Sequence, residues 1–414
     1  MLKQPIELNS LALGQPFIGD IVDASDNIVF RRGLKLTKDI LKLWERRGST
    51  PVFMMMSASD GFSRLPRKII PAHLAFDADH LHATQAWFTD VGTELDLLVT
   101  SFSGEDSVTV RPVEDLVEQC LKLIQTDASV VIYECLSSSP TSTAPTAPNS
   151  DSTINPINKS LIRRSSALSA LSCVIATELG LSHEECLKVG LAGLLHDLAL
   201  YPAILARLQD AFDRPEEKQA VIIRHAQFAT DLLTARGGVQ DLVRIIINQV
   251  HEQMDGSGYP RGMLGHLINS LARIINIADA FLTLIAAHST QPGFVASDAI
   301  PFMLHHTSRG VFDCNVMRAF LRCLTIYGIG TTVVLDDERD AVVLRSSPQN
   351  PLQPQVVIAD DTQPHGVLML DLESAGVSIT GPSRDHRHSN RGRLPRSKMD
   401  NLLWQEMHLA NHRS

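Results

Sequence analysis

Between residue 160 and about residue 325 the apolar positions recur at three- and four-residue steps, the spacing of one face of an α-helix. Ser182 with Glu185 forms a capping box, and the helix it opens carries Leu187, Leu191, Leu194, Leu195 and Leu198. A second predicted helix carries Ile222, Ile223, Phe228, Leu232 and Leu233, and a third carries Leu242, Ile245, Ile246 and Val250. A fourth carries Leu267, Leu271, Ile274, Ile275, Ala278 and Phe281. Four such segments in succession predict an all-α bundle.

The flanks follow other patterns. FIGDIVD, NIVFRRG and TPVFMMM read as strands, and LTKDILKLWERRG, with Thr37 as cap and Gly48 as stop, reads as a helix. These elements and the helical run VEDLVEQCLKLIQ predict an N-terminal α/β regulatory domain over 1–135. Residues 136–159 are rich in Ser, Thr, Pro and Asn and nearly free of large apolar side chains. Such a stretch cannot offset its ordering entropy and reads as a flexible linker. The helical domain then covers 160–325. TTVVLDD, AVVLRSS, PQVVIADD and HGVLMLDL predict a small β extension over 326–380. A basic tail over 381–414 ends in the helix candidate NLLWQEMHLA. The fold class is therefore mainly α, with a small α/β domain before the bundle and a small β appendage after it.

Composition narrows the function. The 414 residues are 44% hydrophobic and 20% charged, so most of the chain can bury a core. The formal net charge of -9 and an aromatic content of 5% argue against a general nucleic-acid binder. The stretch from Arg384 to Lys398 is basic, but no aromatics interleave with its arginines, and a solvated tail is the simpler reading. Six cysteines form no C-x-x-C pair and read as buried hydrophobes. There is no apolar run of membrane-spanning length and no N-terminal apolar leader, so a soluble, cytoplasmic protein is expected.

Several polar residues interrupt the apolar faces of the bundle. His196-Asp197 lies inside LAGLLHDLAL, His225 inside VIIRHAQFA, His251 just after IIINQV, and Asp279 inside IINIADAFL. Singly, each histidine reads as a hydrogen-bonded core residue, and Asp279 as a cap. Together, three histidines and two aspartates spread over four helices are the set that a metal site in a bundle core requires. Imidazole and carboxylate ligands suit Fe, Mn, Zn or Ni. A Gly-rich loop, DGSGYPRG, follows His251. Gly256, Gly258 and Gly262 in it allow the backbone to approach a ligand closely.

The order His-Asp, His, His-Glu-x-x-Asp-Gly-Ser-Gly-Tyr-Pro, Ala-Asp-Ala-Phe resembles the HD-GYP family over roughly residues 155–345. That family is a group of HD-superfamily phosphohydrolases that cleave cyclic di-GMP with a cluster of two or three metals. The resemblance implies divalent-metal ligands, with Fe or Mn expected, at His196, Asp197, His225, His251 and Asp279. Asp197 would be the catalytic bridge between two ions. Gly258, Tyr259, Pro260 and Arg261 would contact substrate. It also implies a diguanylate cyclase domain as a partner.

The chain departs from the family pattern at identifiable places. Arg164 stands where the motif begins with a histidine, Val250 where the first of two adjacent histidines is usual, and Leu200 where a phosphate-facing lysine is usual. The elements after Asp279 are lost in FLTLIAAHSTQPGF. Each ion would keep three protein ligands, enough to hold a metal, while the lysine's charge at the phosphoryl group is missing. The expectation is a binding or interaction module of cyclic di-GMP signalling with weak or no hydrolysis; the alternative is an active metal-dependent phosphodiesterase. The Arg164 guanidinium is expected beside Asp197 or Asp279 as a counter-charge in place of an ion.

Overall fold

A computed structural model describes residues 2–6, 20–22, 28–30, 52–56, 77–103, 108–137, 156–286, 294, 296–347, 350–359 and 367–382. The chain divides into two compact units, with the break near residue 70. In the first, strands β1 (Leu2–Ile6), β2 (Asp20–Val22), β3 (Ile28–Phe30) and β4 (Val52–Met56) form an antiparallel sheet in the order β1-β4-β2-β3. The three predicted strands carry β2, β3 and β4. The first strand, with Pro5 in it, gives no period-2 signal and went unpredicted; it pairs with β4 from Leu2↔Met56 to Ile6↔Val52. The helix expected after Thr37 lies outside the described residues, as do most of the linker, the basic tail beyond Pro382 and its helix candidate.

The second unit begins with two long helices, α1 (Ala78–Ser103) and α2 (Arg111–Ser137). The sequence reading places them with the N-terminal domain. Here they pack against α3 (Pro156–Glu178) and share one hydrophobic core with the bundle. The reason is their apolar faces: Val91, Leu95, Val113, Val117 and Cys120 are buried, and the core of the bundle supplies their partners. α3 is the central helix, touched by α1, α2, α4 (His183–Leu195), α9 (Ser270–Ile285) and α11 (Cys314–Leu324). It serves so many neighbours because its inward positions are small. Ser165, Ser166, Ser169, Ala170, Ser172 and Cys173 are all fully buried. Ser166 and Ser169 return their hydroxyl hydrogens to the carbonyls of Ile162 and Gly190, so burying them leaves those two donors satisfied.

The α3–α4 contact is close because Gly190 and Gly193 face α3. A Cβ at Gly190 would lie 2.4 Å from a Val117 methyl and 2.6 Å from the Cys173 sulfur, and one at Gly193 would lie 3.0 Å from Ser169 Cα. The Ser182–Glu185 capping box starts α4 as its spacing predicts. The bundle continues through α5 (Pro202–Asp210), α6 (Pro215–Ile223), α7 (His225–Leu232), α8 (Asp241–Asn248), α9, α10 (Ala296–Ser308) and α11. The second predicted helix is in fact two. The backbone leaves helical angles at Arg224 (φ -104°, ψ 22°) and restarts at His225. The third ends before Val250, and the fourth starts after Leu267, which is exposed in a short 3-10 turn.

Strands β5 (Thr332–Leu335), β6 (Asp340–Arg345), β7 (Gln355–Ala359), β8 (Val367–Asp371) and β9 (Ile379–Pro382) make an antiparallel sheet in the order β8-β7-β6-β5-β9. Successive residues of a strand face opposite sides. Val343 and Val356 enter the sheet's own core, whereas their neighbours Leu344 and Val357 belong to the core of the bundle. Cys120, Cys135, Cys173, Cys186 and Cys323 are buried thiols as expected; Cys314, in the first turn of α11, is exposed instead. Among the described residues no single helix is long and apolar enough to cross a membrane.

Candidate metal centre

The five residues singled out in the sequence arrive at one cavity from four directions. His196 is the C-cap of α4, and Asp197 follows it at φ -90°, ψ 9°, where the helix gives way to a 3-10 turn. That change of direction turns both side chains inward. His225 is the first residue of α7, His251 lies in the turn after α8, and Asp279 sits in the middle of α9. All five line a cavity of about 280 Å³ together with Arg164, Leu200, Asn276 and Thr283.

Backbone carbonyls orient two of the imidazoles. His196 Nδ1 lies 3.0 Å from the Gly193 oxygen and His225 Nδ1 lies 2.8 Å from the Ile222 oxygen. A carbonyl can only accept, so each Nδ1 carries a hydrogen and, in the neutral ring, each Nε2 offers a lone pair. Those lone pairs converge on Asp197 Oδ1, which is 3.0 Å from His196 Nε2 and 3.2 Å from His225 Nε2. The His196 nitrogen is out of line for a hydrogen bond and stays without a partner although fully buried. His251 Nε2 adds a fourth atom, 3.0 Å from His225 Nε2. Acceptors facing acceptors in a buried pocket need a cation or a proton between them. The His196, Asp197 and His225 ligand atoms lie within 4.8 Å of one another, a spacing that one ion can bridge. The donor set therefore fits a single divalent cation, with His251 at its side.

Arg164 occupies the other half of the pocket. Its Nη2 donates to Asp279 Oδ1 at 2.8 Å and to Thr283 Oγ1 at 2.6 Å, and its Nε stands 3.8 Å from Asp197 Oδ2. The guanidinium expected beside Asp197 or Asp279 lies near both, and a second cation at Asp279 would meet this fixed positive charge. Asp279 Oδ2 faces His251 Nδ1 at 3.8 Å.

The charges respond to one another. Burial works to raise the Asp197 carboxyl, but the His196 and His225 imidazoles outweigh it and hold the group well below the usual carboxylate range. Burial works to lower His196, and the adjacent Asp197 reverses this, so its pKa is raised. His251 is pushed down to about 3 by burial and by the neighbouring His225, with Asp279 opposing. Without an ion the cluster is thus held by a guanidinium and by the proton that His196 favours, while His251 is neutral.

The Gly-rich loop is built on its own chain. A Cβ at Gly258 would fall 2.3 Å from the Gln253 nitrogen and 2.4 Å from the His251 oxygen. The close approach that needs this glycine is to backbone 251–253, where a ligand contact was expected. Tyr259 N donates to the His251 oxygen at 3.1 Å, and the Tyr259 ring stacks on the His251 ring with centroids 4.7 Å apart. Gly258, Tyr259, Pro260 and Arg261 line a second cavity next to the first. Glu252, only 2% exposed, accepts from Arg261 N at 2.8 Å and Met263 N at 2.7 Å and so pins the loop. Sequence reading missed Glu252 as an anchor, although it stands in the motif beside His251. It also missed Asn276 and Thr283, which carry no such signal: Asn276 donates to the Val250 and Glu252 oxygens, and Thr283 receives Arg164. Val250 does not line the cavity; its side chain is fully buried in the hydrophobic core.

Residues 152–316 match the family model described as HD domain. The cyclic di-GMP phosphodiesterase PA4108 of Pseudomonas aeruginosa is 31% identical over 213 residues, 51% of each chain. The cyclic di-GMP phosphodiesterase response regulator RpfG of Xanthomonas campestris is 30% identical over 156 residues, 37% of this chain and 41% of RpfG. The 3'3'-cGAMP-specific phosphodiesterase 1 of Vibrio cholerae is 32% identical over 148 residues, 36% of this chain and 34% of the relative. The chain thus spans about half or less of the length of these relatives. A structural neighbour, the HDG"Y"P protein Bd1817 of Bdellovibrio bacteriovorus, gives a TM-score of 0.43 at 18% identity, covering 77% of this chain and 98% of that one. With its His196-Asp197 pair and its Gly258-Tyr259-Pro260 loop, the helical region of this chain matches the HD-domain model and resembles the HD-GYP family.

Proposed function

We propose that this chain is a cyclic di-GMP-binding module of HD-GYP type whose hydrolytic power is weak or absent. The observation that carries the reading is the Arg164 guanidinium on Asp279, 2.8 Å away, inside the pocket that would otherwise take a second cation. The relatives named as cyclic di-GMP phosphodiesterases support the ligand class. A single divalent ion, of iron or manganese type, would be held by His196, Asp197 and His225 with His251 beside them. When bound it supplies Lewis acidity toward a phosphoryl oxygen. The chain's own groups do the rest. Gly193 and Ile222 fix the two imidazoles by their carbonyls, Arg164 neutralises Asp279, and Tyr259 covers His251. Leu200 lines the pocket and offers no charge to a phosphoryl group, so electrostatic help worth several kcal/mol is missing there. A module that binds without turning over would act through a partner, and a diguanylate cyclase domain suits that role.

The test has two measurements on the purified full chain: metal per chain after iron-replete anaerobic growth, and binding against turnover of cyclic di-GMP with added Mn or Fe. The expected result is at most one ion per chain, saturable binding and little hydrolysis. Two ions and multiple turnovers would establish the active phosphodiesterase instead. Failure to bind cyclic di-GMP at all would remove the ligand class.

A further inference from the structure

The metal-side cavity is not where a ligand would have to end. A second cavity, of about 700 Å³, adjoins it, and Ile223 and Tyr259 line both. The two cavities differ in chemistry. The first carries the carboxylates and imidazoles. Among the described residues the second has no acid in its lining, and two arginines, Arg224 and Arg261, stand in its wall.

The fold roots both arginines firmly while leaving their heads in solvent. Arg224 is the break between α6 and α7 and the residue directly before His225. One Cα step, ~3.8 Å, separates it from a candidate metal ligand. Its guanidinium is splayed along α7 by Gln227, whose Oε1 accepts from Nε at 3.0 Å and from Nη2 at 2.5 Å. Three of its five hydrogens do not take part in that pair. Arg261 is anchored from behind, since its backbone N–H is held by the buried Glu252 carboxylate. Between them the floor is glycine: Gly256 and Gly262 hold left-handed backbone, φ 82° and 62°, so no side chain fills the space. A cavity floored by backbone and walled by two guanidiniums suits a phosphate, which arginine binds by paired N–H donors.

We propose that this second cavity is a distal phosphate subsite. Arg224 and Arg261 hold the non-reacting phosphodiester of a two-phosphate cyclic nucleotide while the other phosphodiester lies at His196, Asp197 and His225. The subsite deepens the cyclic dinucleotide reading and rests on it. It accounts for selection of a ligand with two phosphates over one with a single phosphate, and it assigns that selection to a residue, Arg224, that lies outside the Gly-Tyr-Pro loop.

The test is calorimetric titration of the full chain, in the presence of Mn, with cyclic di-GMP and with GMP as the one-phosphate probe. Arg224→Gln and Arg261→Gln are each expected to weaken cyclic di-GMP about tenfold or more, from loss of a charge-assisted phosphate contact. GMP affinity should stay unchanged. The salt dependence of cyclic di-GMP binding should also flatten by about one counterion per arginine removed, by the logic of phosphate neutralisation. Arg224→Lys should recover part of the affinity, because it keeps the charge but not the fork. Both side chains are exposed, and the thermal midpoint of each variant checks that the fold is intact. If the parent chain binds cyclic di-GMP and both Gln variants bind it equally well, the subsite is wrong and the ligand class stands. If the variants weaken GMP and cyclic di-GMP alike, the arginines serve the metal-side phosphate and the proposal also fails. If the parent chain binds no cyclic dinucleotide, the ligand class and the subsite fall together.

Discussion

Replacing Arg164 by alanine tests the claim that a side chain does an ion's work. The substitution removes the donors to Asp279 and Thr283 and the positive charge 3.8 Å from Asp197. Hydrogen bonds to charged groups contribute about 1.5–3 kcal/mol, and stranding one member of a fully buried pair costs about 3–5 kcal/mol. The Arg164 side chain is 27% exposed while Asp279 and Asp197 are 12% and 5% exposed, so solvent screens part of the loss. The expected destabilisation is about 2–3 kcal/mol, below the range for a fully buried pair because of that screening. Helix propensity adds little, since alanine and arginine are both good helix formers. The assay is urea denaturation of parent and variant, each with chelator and with Mn. In chelator the variant should unfold at lower urea. A free ion concentration about a hundred times Kd should restore about 2.7 kcal/mol to the variant. The parent should gain less, because its guanidinium opposes the second ion. Arg164→Lys, which keeps a charge, should fall between the two. Equal midpoints for parent and Arg164→Ala in chelator would refute the reasoning, as would a loss that Mn does not repair.

Other outcomes follow from the same geometry. Metal affinity should rise with pH through the raised pKa of His196, since the ion must displace the proton that this imidazole favours; a metal titration flat between pH 6 and 8 would contradict this. In the ion-free protein His251, pushed down to about 3, is neutral in the fold but protonates in the unfolded chain below about pH 6.5. Its contribution to stability is complete above that pH and declines as the pH falls from there toward 3, by at most about 1.4 kcal/mol per unit. His251→Gln should flatten that limb of a stability–pH curve. Gly258→Ala should lower the thermal midpoint and disturb Tyr259, because its methyl would sit 2.3 Å from a backbone nitrogen. Val250→His should cost about 2 kcal/mol or more by burying an unpaired imidazole, with no gain in bound metal.

The centre was legible because its polar residues interrupt apolar faces. His196, Asp197, His225, His251 and Asp279 each break a helical pattern, and a buried charge in such a place demands a partner. Arg164 was legible only against a family pattern; on its own, in LIRRSS, it looks like any exposed arginine. The break at Arg224 could not be read, since Ile222, Ile223 and Phe228 keep a helical spacing across it. Only the carbonyl of Ile222, meeting His225 Nδ1, shows what the break is for. The placement of α1 and α2 was hidden for a different reason. A Ser- and Pro-rich stretch marks where a chain lacks a core, but it does not say which core the helices before it join. Val250 shows the limit of reading by family pattern: it stands next to His251 in sequence, yet one step along the backbone it faces the hydrophobic core.

The glycines between α3 and α4 act as a spacer of zero thickness. Arg164 rides on α3, while His196 and Asp197 ride on the end of α4, so the gap between opposite charges is the gap between two helices. A methyl at Gly190 meets Val117 and Cys173 within 2.6 Å and forces that gap wider. Across a contact of 3.8 Å, an added ångström weakens attraction between the Arg164 and Asp197 charges by about a fifth, because Coulomb energy falls as the inverse of distance. Gly190→Ala changes no ionisable group and touches no ligand, and it alters the charge balance of the centre all the same. In this fold the electrostatics of the site are tuned by the thickness of a helix contact, at a position whose own chemistry is a single hydrogen atom.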